Sequence, residues 1–403
     1  MPASTRTKRP VRASRQQSSS ADARRCEQWL MELTSLPTAA GKEQRVVAWI
    51  TSWVKKRAKD LSLDHDTFGN LLITQQRDRR ARTHVAPVWF QAHLDHPAFV
   101  VRDISVDGDR RALALEFRGG VHNPYFENAK LEIVDSNDRS HRATITSLDA
   151  DAKPFKVVTA RLATASADVR VGDVGRWLFP RPAVRKGLTH THACDDLAAV
   201  AAALCALDRV RSKPACEHVG LLFTRAEEVG FLGTIGAARS GTLSDDARII
   251  CIENSRSFAE SPIGAGPILR VGDRRSVFTP ELTNRIGDLL LAHQKLHPEF
   301  RFQRKLMAGG SCEATAFASY GYRSTCVCLP LGNYHNMEDI DGVLAGARPA
   351  KVGREFVSIA DFHGLIAMLE IIAHDLDSSE IPPTREVMET IWKDLRFVLG
   401  EPA

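Results

Sequence analysis

The stretch VWFQAHLDH occupies residues 88–96 and joins a short, mostly apolar run to a His-x-Asp unit. A run of this kind predicts a strand that is buried on both faces, as in a parallel sheet. In an open α/β sheet, ligands gather beyond the carboxyl ends of the strands, so His93 and Asp95 are candidate site residues. Side chains two positions apart share one strand face, which allows Asp95 to orient the ring of His93.

Three further apolar runs end in the same way. LLFTRA (221–226), RIICI (248–252) and CVCLPLGNY (326–334) are each followed by residues that can bind a metal: Glu227 and Glu228, Glu253, and His335. Asp195 and Asp196 directly precede LAAVAAALCALDRV (197–210), an Ala- and Leu-rich segment that predicts a helix. If the sheet is parallel, these five segments converge on one site.

The types of these residues indicate metal-dependent hydrolysis. Each one alone has an ordinary alternative, such as a surface histidine or a glutamate that caps a helix. Glu253 is harder to explain in that way, because a carboxylate that enters a buried strand is costly unless it is paired or binds a metal. Together, two histidines and several carboxylates suit two divalent ions, with zinc expected first and cobalt or manganese as alternatives. Adjacent Glu227 and Glu228 point in different directions, so one can bind metal while the other acts as a general base.

The pattern of helices and strands predicts an α/β fold with a mostly parallel sheet flanked by helices. The stretch 66–74 contains a Gly-Asn turn that leads into an apolar strand, and further strands are predicted at 86–92, 219–224, 248–252 and 324–331. Helices are predicted at 26–36, 41–61, 197–210, 230–240 and 354–376. Between about 99 and 179, short alternating runs separated by Gly, Asp and Asn predict an inserted small antiparallel β domain instead.

The resulting division of the chain has four parts. Residues 1–25 form a basic tail that is expected to be disordered, and residues 26–98 and 180–376 form a discontinuous catalytic domain. Residues 99–179 form the inserted β domain, and residues 377–403 form a C-terminal helical tail.

The charge of the chain is concentrated at its beginning. Residues 1–25 contain seven basic residues and one acidic residue, while the whole chain has a net charge of +5, so the remainder is close to neutral. A nucleic-acid function would therefore have to reside in the tail, which makes it an improbable function for the folded part. A solvated extension is the expected role of this tail, with an organellar transit peptide as the alternative.

The chain contains neither the apolar run that a membrane span needs nor the apolar segment of a secretory signal. We therefore expect a cytoplasmic protein that does not bind membranes.

Its eight cysteines form no CxxC pair and lie mostly inside apolar runs, which indicates reduced, buried thiols. His190 and His192, and likewise Cys326 and Cys328, are weaker metal candidates, for which ordinary loop or core positions are the preferred interpretation.

The order of the segments resembles the dinuclear metallo-aminopeptidases of the glutamyl or deblocking aminopeptidase family, which have a zinc-peptidase-like fold. The segments that carry the resemblance span about residues 26–375: AHLDH (92–96), RVGDVG (170–175), CDDLAAV (194–200), EEVGFLGTIGA (227–237), IENS (252–255), GGSCEAT (309–315) and NYHNME (333–338).

The resemblance implies a role for each candidate residue. His93 and Glu253 would bind one metal, Glu228 and His335 the other, and Asp195 would bridge them. Glu227 would be the general base, with Asp95 as the residue that orients His93. Because the family consists of aminopeptidases, the resemblance implies peptide substrates. Its members often assemble as hollow tetrahedral particles through the inserted domain, so the resemblance also implies a homo-oligomer.

The chain departs from the family pattern at three positions. His96 and Leu197 stand where the family usually has Glu and Arg, and Glu253 stands where Asp is more common. These departures leave two rival functions open. One is a related dinuclear amidohydrolase, such as a carboxypeptidase or an N-acyl deacylase, and the other is a non-enzymatic peptide-binding scaffold, which Leu197 favours.

Overall fold

The computed structural model of the chain describes residues 20–76, 85–107, 110–164, 168–378, 382 and 384–400. The first elements are α1 (Ser20–Leu33), α2 (Gln44–Lys55), β1 (Leu61–His65), β2 (Leu71–Gln75) and β3 (Val88–His93). Six strands follow: β4 (Ala98–Asp107), β5 (Arg110–Arg118), β6 (Lys130–Val134), β7 (Ser140–Asp149), β8 (Lys156–Leu162) and β9 (Val174–Trp177).

The second half of the chain alternates between strands and helices. Its elements are β10 (Ala183–Arg185), β11 (Leu188–Thr191), α3 (Cys194–Val210), β12 (Val219–Thr224), α4 (Leu232–Arg239), β13 (Arg248–Arg256), β14 (Ile268–Asp273), α5 (Pro280–Leu296), β15 (Gln303–Met307), α6 (Glu313–Ser319), β16 (Arg323–Leu331), α7 (Ile340–Leu344), β17 (Glu355–Ser358), α8 (Ile359–Asp375) and α9 (Thr384–Leu395).

The main sheet has eight strands in the order β1-β2-β12-β3-β13-β16-β14-β15. Its four central strands, β12, β3, β13 and β16, run parallel, whereas β2 and β14 join this group antiparallel. The predicted α/β class is confirmed, with a sheet that is parallel at its centre and mixed toward its edges. Because the central strands are parallel, their carboxyl ends lie along one edge of the sheet.

Helix α3 covers the middle of the main sheet. It packs against β3, β12 and β13 and also contacts helices α1 and α8. Nearly every side chain of α3 is buried, as its Ala-rich sequence allows, because small residues let the helix approach the sheet closely. The helix begins at Cys194, so its first turn delivers Asp195 and Asp196 to the carboxyl edge of the sheet.

The inserted strands form a closed antiparallel barrel in the order β4-β5-β8-β7-β6-β9. Aromatic rings in mostly edge-to-face contact fill its core: Phe99, Phe117, Phe126 and Trp177. Met337 and Ile340, which follow β16, are buried in the same core and tie the barrel to the segment that carries His335.

The segment 354–376 corrects one prediction. We expected a single helix there, but residues Glu355–Ser358 form strand β17, which pairs antiparallel with β11 in a small sheet of β10, β11 and β17. Helix α8 begins only after Ser358, whose side-chain oxygen accepts a hydrogen bond from the backbone N–H of Asp361. A serine that caps a helix in this way ends the strand and starts the helix.

The boundary between the N-terminal tail and the catalytic domain lies earlier in the chain than predicted. Helix α1 begins at Ser20, so residues 20–25 are helical rather than part of a disordered tail. Asp22 forms an ion pair with Arg209 at 2.8 Å, which attaches this turn to α3. The rest of the predicted basic tail, residues 1–19, lies outside the described residues.

Two further findings concern the described residues only. None of their helices has the length and apolar character needed to cross a membrane. All eight cysteines are buried free thiols, in agreement with the interpretation of the sequence.

Candidate metal centre

The predicted site residues meet at the carboxyl edge of the four central strands. His93 is the last residue of β3, and Glu253 lies on β13, the neighbouring strand. Glu227 and Glu228 follow β12, and His335 follows β16. Because β12, β3, β13 and β16 are successive neighbours in the sheet, residues that are far apart in the chain lie side by side.

Asp195 lies between the two histidines. Its Oδ1 atom is 3.4 Å from Nε2 of His93, and its Oδ2 atom is 3.4 Å from Nε2 of His335. These separations exceed those of ordinary hydrogen bonds. Two ligand atoms that each bind one tetrahedral zinc ion at about 2.0–2.1 Å lie roughly 3.3 Å apart, so the observed spacings suit shared metal coordination.

The other carboxylates complete three groups of potential ligand atoms that lie within 4.8 Å of one another. The groups are His93, Asp195, Asp196 and Glu253; His93, Glu227 and Glu228; and Asp195, Glu228 and His335. Within them, Oε2 of Glu228 is 3.5 Å from Nε2 of His335, and Oε2 of Glu227 is 3.8 Å from Nε2 of His93. The structure thus brings together every residue that the sequence proposed as a ligand or base.

Several carboxylate oxygens at this site have no hydrogen-bond partner. They are Oδ1 of Asp195, Oε1 of Glu228 and Oε1 of Glu253, each buried and without a bond to any described residue. An unpaired buried oxygen of this kind is costly, and a carboxylate more so than a neutral group. Bound cations would satisfy all three atoms, so the residues present fit a metal centre.

The electrostatics of the site point in the same direction. Burial raises the pKa of Glu227, Glu228 and Glu253 well above their ordinary values, and neighbouring carboxylates add to this effect. Burial alone would lower the pKa of His93, but the charges of Glu227 and Asp196 outweigh it and raise that pKa well above its usual value. These four side chains therefore bind protons readily in the metal-free protein. Closely packed metal ligands are expected to do so, because protons and metal ions compete for the same atoms.

Two buried acids fix the loop that carries the paired glutamates. Asp95 accepts hydrogen bonds from the backbone N–H groups of Glu227 and Glu228, at 2.9 and 3.1 Å. Glu43 accepts one from the N–H of Ala226 at 3.1 Å and forms an ion pair with Arg225. Backbone hydrogen bonds from residues 230–233 to the carbonyl groups of residues 225–227 close the loop, and the two carboxylates bind its remaining N–H groups.

The role of Asp95 in orienting the ring of His93 stays a prediction. The Oδ1 atom of Asp95 is 3.5 Å from Nδ1 of His93, which is long for a hydrogen bond, while the ring nitrogen lies 3.2 Å from the backbone oxygen of Asp95. The strongest contacts of the Asp95 carboxylate are those to the glutamate loop.

Sequence reasoning missed the supporting role of Asp196. Its Oδ1 atom accepts a 2.7 Å hydrogen bond from the side-chain amide of Asn254, and its Oδ2 atom accepts a 3.2 Å bond from the backbone N–H of His93. The carboxylate thus links the first turn of α3 to the ends of β13 and β3. Its place beside Asp195 in the sequence was the available signal.

Glu313 is a second residue whose part in the site was not foreseen. Its side chain is fully buried at the first turn of α6 and accepts hydrogen bonds from Gln91, Thr224 and Thr234. Its charge raises the pKa of nearby Glu227 further. The segment GGSCEAT contained this residue, but no local pattern distinguished it from a helix-capping acid.

The remaining histidines of this region lie outside the three ligand groups. Nδ1 of His96 contacts the backbone oxygen of Asp195, and its Nε2 lies 3.0 Å from Oδ1 of Asn336. Burial lowers the pKa of His96 to about 4. His192 is buried against the ring of Phe179, with ring centroids 5.3 Å apart, so it occupies a core position.

A cavity of about 470 Å³ opens beside Glu253 and His335. Residues from both the main domain and the barrel line it, including Gly120, Phe258, Arg270, Met307 and Tyr334. Its size suits a small molecule or the end of a peptide. Substrate held there would lie directly against the candidate ligands.

An α/β sheet with buried histidine and carboxylate side chains beyond its parallel strands defines a hydrolase of the metallopeptidase class. Residues 69–345, well over half of the chain, match the family described as M42 glutamyl aminopeptidase. The chain belongs to this family and is a peptide hydrolase. The resemblance stated from the sequence is confirmed.

Solved structures support the same fold. The Pyrococcus horikoshii TET1 peptidase matches with a TM-score of 0.68 and 17% identity over 87% of this chain and 99% of its own. A TET aminopeptidase from a marine sediment Thaumarchaeota archaeon matches with a TM-score of 0.68 and 16% identity, over 89% and 99% of the two chains. The aminopeptidase APDkam598 of Desulfurococcus kamchatkensis matches with a TM-score of 0.67 and 18% identity, over 89% and 98%. A comparison with curated proteins gave no match.

Proposed function

We propose that the protein is an aminopeptidase that removes N-terminal residues from peptides with the help of two divalent metal ions. The observation that carries the proposal is the position of Asp195 between His93 and His335, 3.4 Å from each ring, with one of its buried oxygens unpaired. His93 and Glu253 would hold one ion, and Glu228 and His335 the other. Asp195 would contact both.

The ions, when bound, supply Lewis-acid activation of a water molecule and of the scissile carbonyl. The chain itself supplies the proton transfers. Glu227 lies at the edge of the ligand groups, 3.8 Å from His93, and burial raises the pKa of its carboxyl group. A carboxylate with a raised pKa accepts a proton from the attacking water and then donates it to the leaving amine. Zinc is the first expectation for both positions, with cobalt or manganese as alternatives.

The cavity favours the N-terminal end of a peptide. It reaches Glu253, which would hold one of the ions, and a free α-amino group at that end could bind the ion or donate a hydrogen bond to a carboxylate oxygen. A second candidate, carboxypeptidase activity, is favoured by Arg270. Its buried guanidinium lines the cavity and forms no ion pair with any described residue, so it could bind a substrate carboxylate.

A substrate panel distinguishes these activities. Aminoacyl anilides, N-acylated peptides and peptides with a free carboxyl terminus are each assayed after loading with zinc, cobalt or manganese. We expect release of N-terminal residues, and blocking the α-amino group by acetylation should abolish it. Hydrolysis of blocked peptides from the carboxyl end would favour the second candidate, and no hydrolysis with any metal would favour the peptide-binding scaffold.

We also propose that the chain forms a homo-oligomer through the barrel formed by β4–β9. The Pyrococcus horikoshii TET1 peptidase is described as assembling into a tetrahedron or a large octahedral shell. The barrel carries exposed apolar surface at Val171, on the turn before β9. Light scattering should give a mass several times the 44.5 kDa of one chain. A monomer at micromolar concentration would contradict this proposal.

A further inference from the structure

Glu355 is a buried carboxylate to which the proposed function assigns no role. It is the first residue of β17 and pairs with Thr191 of β11 in the small sheet. Its side chain is fully buried, and it forms no ion pair with any described residue. A buried acid without a cation must obtain its stabilisation from hydrogen bonds or from charges that a bound ligand supplies.

The two oxygens of Glu355 bind the backbone of two separate candidate ligands. Oε2 accepts a 3.0 Å hydrogen bond from the N–H of Asp195, and Oε1 accepts a 2.8 Å bond from the N–H of His335. One side chain thus joins the first turn of α3 to the segment after β16. The side chains of Asp195 and His335 themselves meet at 3.4 Å.

Regular secondary structure does not position either of these backbone segments. Asp195 has φ −79° and ψ 104°, which is not helical although DDLAAV begins α3. His335 has φ 54° and ψ 34°, in the left-handed region that is uncommon for residues other than glycine. The left-handed conformation of His335 persists when its surroundings fix it, and Glu355 provides one acceptor that is shared by His335 and Asp195.

We infer that Glu355 is a positioning residue that fixes the separation of Asp195 and His335 and so sets the geometry and affinity of the ion between them. The inference rests on the proposed function. Glu355 contacts the backbone of the two ligands and neither the substrate cavity nor the ligand atoms, so it acts through them. Residues that orient metal ligands in this way typically change metal affinity about 10- to 100-fold when they are replaced.

The test compares Glu355→Gln with a matched control, Asp361→Asn. Asp361 is also a buried carboxylate that forms no ion pair with a described residue, and it accepts backbone hydrogen bonds from Gly264 and Gly266 at 2.6 and 2.9 Å. It belongs to none of the three ligand groups. Each change removes one acceptor oxygen and adds an N–H₂ group that cannot accept a bond.

Three quantities are measured for both variants and the unaltered protein: the melting temperature, the affinity for cobalt in competition with a chelator, and the visible absorption of the cobalt-loaded protein. For Glu355→Gln we expect affinity for one of the two ions to fall about 10- to 100-fold, with an altered cobalt spectrum. Asp361→Asn should lower the melting temperature while leaving cobalt affinity and spectrum unchanged.

The possible outcomes separate this inference from the proposed function. If Glu355→Gln matches the control in cobalt affinity and spectrum, the inference is overturned and the metal centre stands. If the unaltered protein binds no ion, the proposed function fails and takes the inference with it. Should Glu355→Gln not fold, Glu355→Asp decides: it keeps the charge but is too short to reach both amides, so cobalt affinity must still fall severalfold, and an unchanged affinity would overturn the inference.

Discussion

Oδ1 of Asp95 accepts a 2.9 Å hydrogen bond from the backbone N–H of Glu227. Its other oxygen accepts one from Glu228, so a single carboxylate fixes both the proposed base and a proposed ligand. In Asp95→Asn, only one of these bonds can persist, because the amide nitrogen has no lone pair to accept the second. We expect a loss of about 10- to 100-fold in kcat, with the fold retained.

The control for Asp95→Asn is Asp135→Asn in the barrel. Asp135 is also buried: its Oδ1 accepts backbone hydrogen bonds from Asn137 and Arg139 at 2.8 and 2.9 Å, and its Oδ2, which the amide replaces, lies 2.9 Å from Nε2 of His141. It should change stability without changing kcat. Equal kcat values for the two variants, both folded, would mean that the contacts of Asp95 do not matter for catalysis.

The proposed roles of Glu227 and Glu228 differ in kind. Glu227→Gln should keep both metal ions, while hydrolysis falls by at least about 10²- to 10⁴-fold, the contribution typical of a general base. Glu228→Gln should weaken one ion, because a neutral amide is a poorer ligand, and added zinc or cobalt should restore part of the activity. Metal analysis and kinetics on each variant check this. Loss of metal from Glu227→Gln, with both ions kept by Glu228→Gln, would show that the roles are reversed.

The stability of the metal-free protein should depend on pH with a definite sign. Burial raises the pKa of Glu227, Glu228 and Glu253 in the folded state, so the stability that their protonated forms contribute is lost as pH rises through these raised values. The raised pKa of His93 acts with the same sign. From about pH 5 to about pH 8, the melting temperature of the chelated protein should fall relative to that of the loaded protein. A constant difference across this range would contradict the electrostatic description of the site.

The beginning of the chain can be shortened to a defined point. Removal of residues 1–19 should leave melting temperature and hydrolysis unchanged, because the net positive tail is predicted to be a solvated extension. Removal of residues 1–25 should lower the melting temperature, since it deletes the ion pairs of Asp22 with Arg209 and of Arg25 with Asp208. Calorimetry on both truncations checks this. Loss of activity on removal of residues 1–19 would show that the tail takes part in the function.

The sequence predicted well those elements whose signal is local. Strand β12 has the predicted bounds, 219–224, because a continuous apolar run is sufficient to indicate a strand buried on both faces. The other candidate ligands could be grouped for the same reason, since each one follows such a run, whereas Asp195 was found at the start of a predicted helix. Their meeting at one edge follows from parallel strand order alone.

Features that depend on distant partners could not be predicted. Strand β17 exists because it pairs with β11, and apart from the capping residue Ser358 its four residues carry no signal that separates them from the helix that follows. The role of Glu355 was therefore hidden, and so were the contacts of Asp95, which depend on the conformation of the loop after β12. Closure of the barrel likewise requires β4 to pair with β9, far along the chain.

Metal titration shows whether the cluster around Asp195 binds two catalytic ions. Chelated protein is titrated with zinc or cobalt while bound metal and release of N-terminal residues are measured together. We expect uptake of two ions per chain, no hydrolysis in their absence, and loss of one or both ions in Asp195→Asn. Full hydrolysis by protein that contains no metal, or no uptake of zinc, cobalt or manganese, would contradict the proposed function.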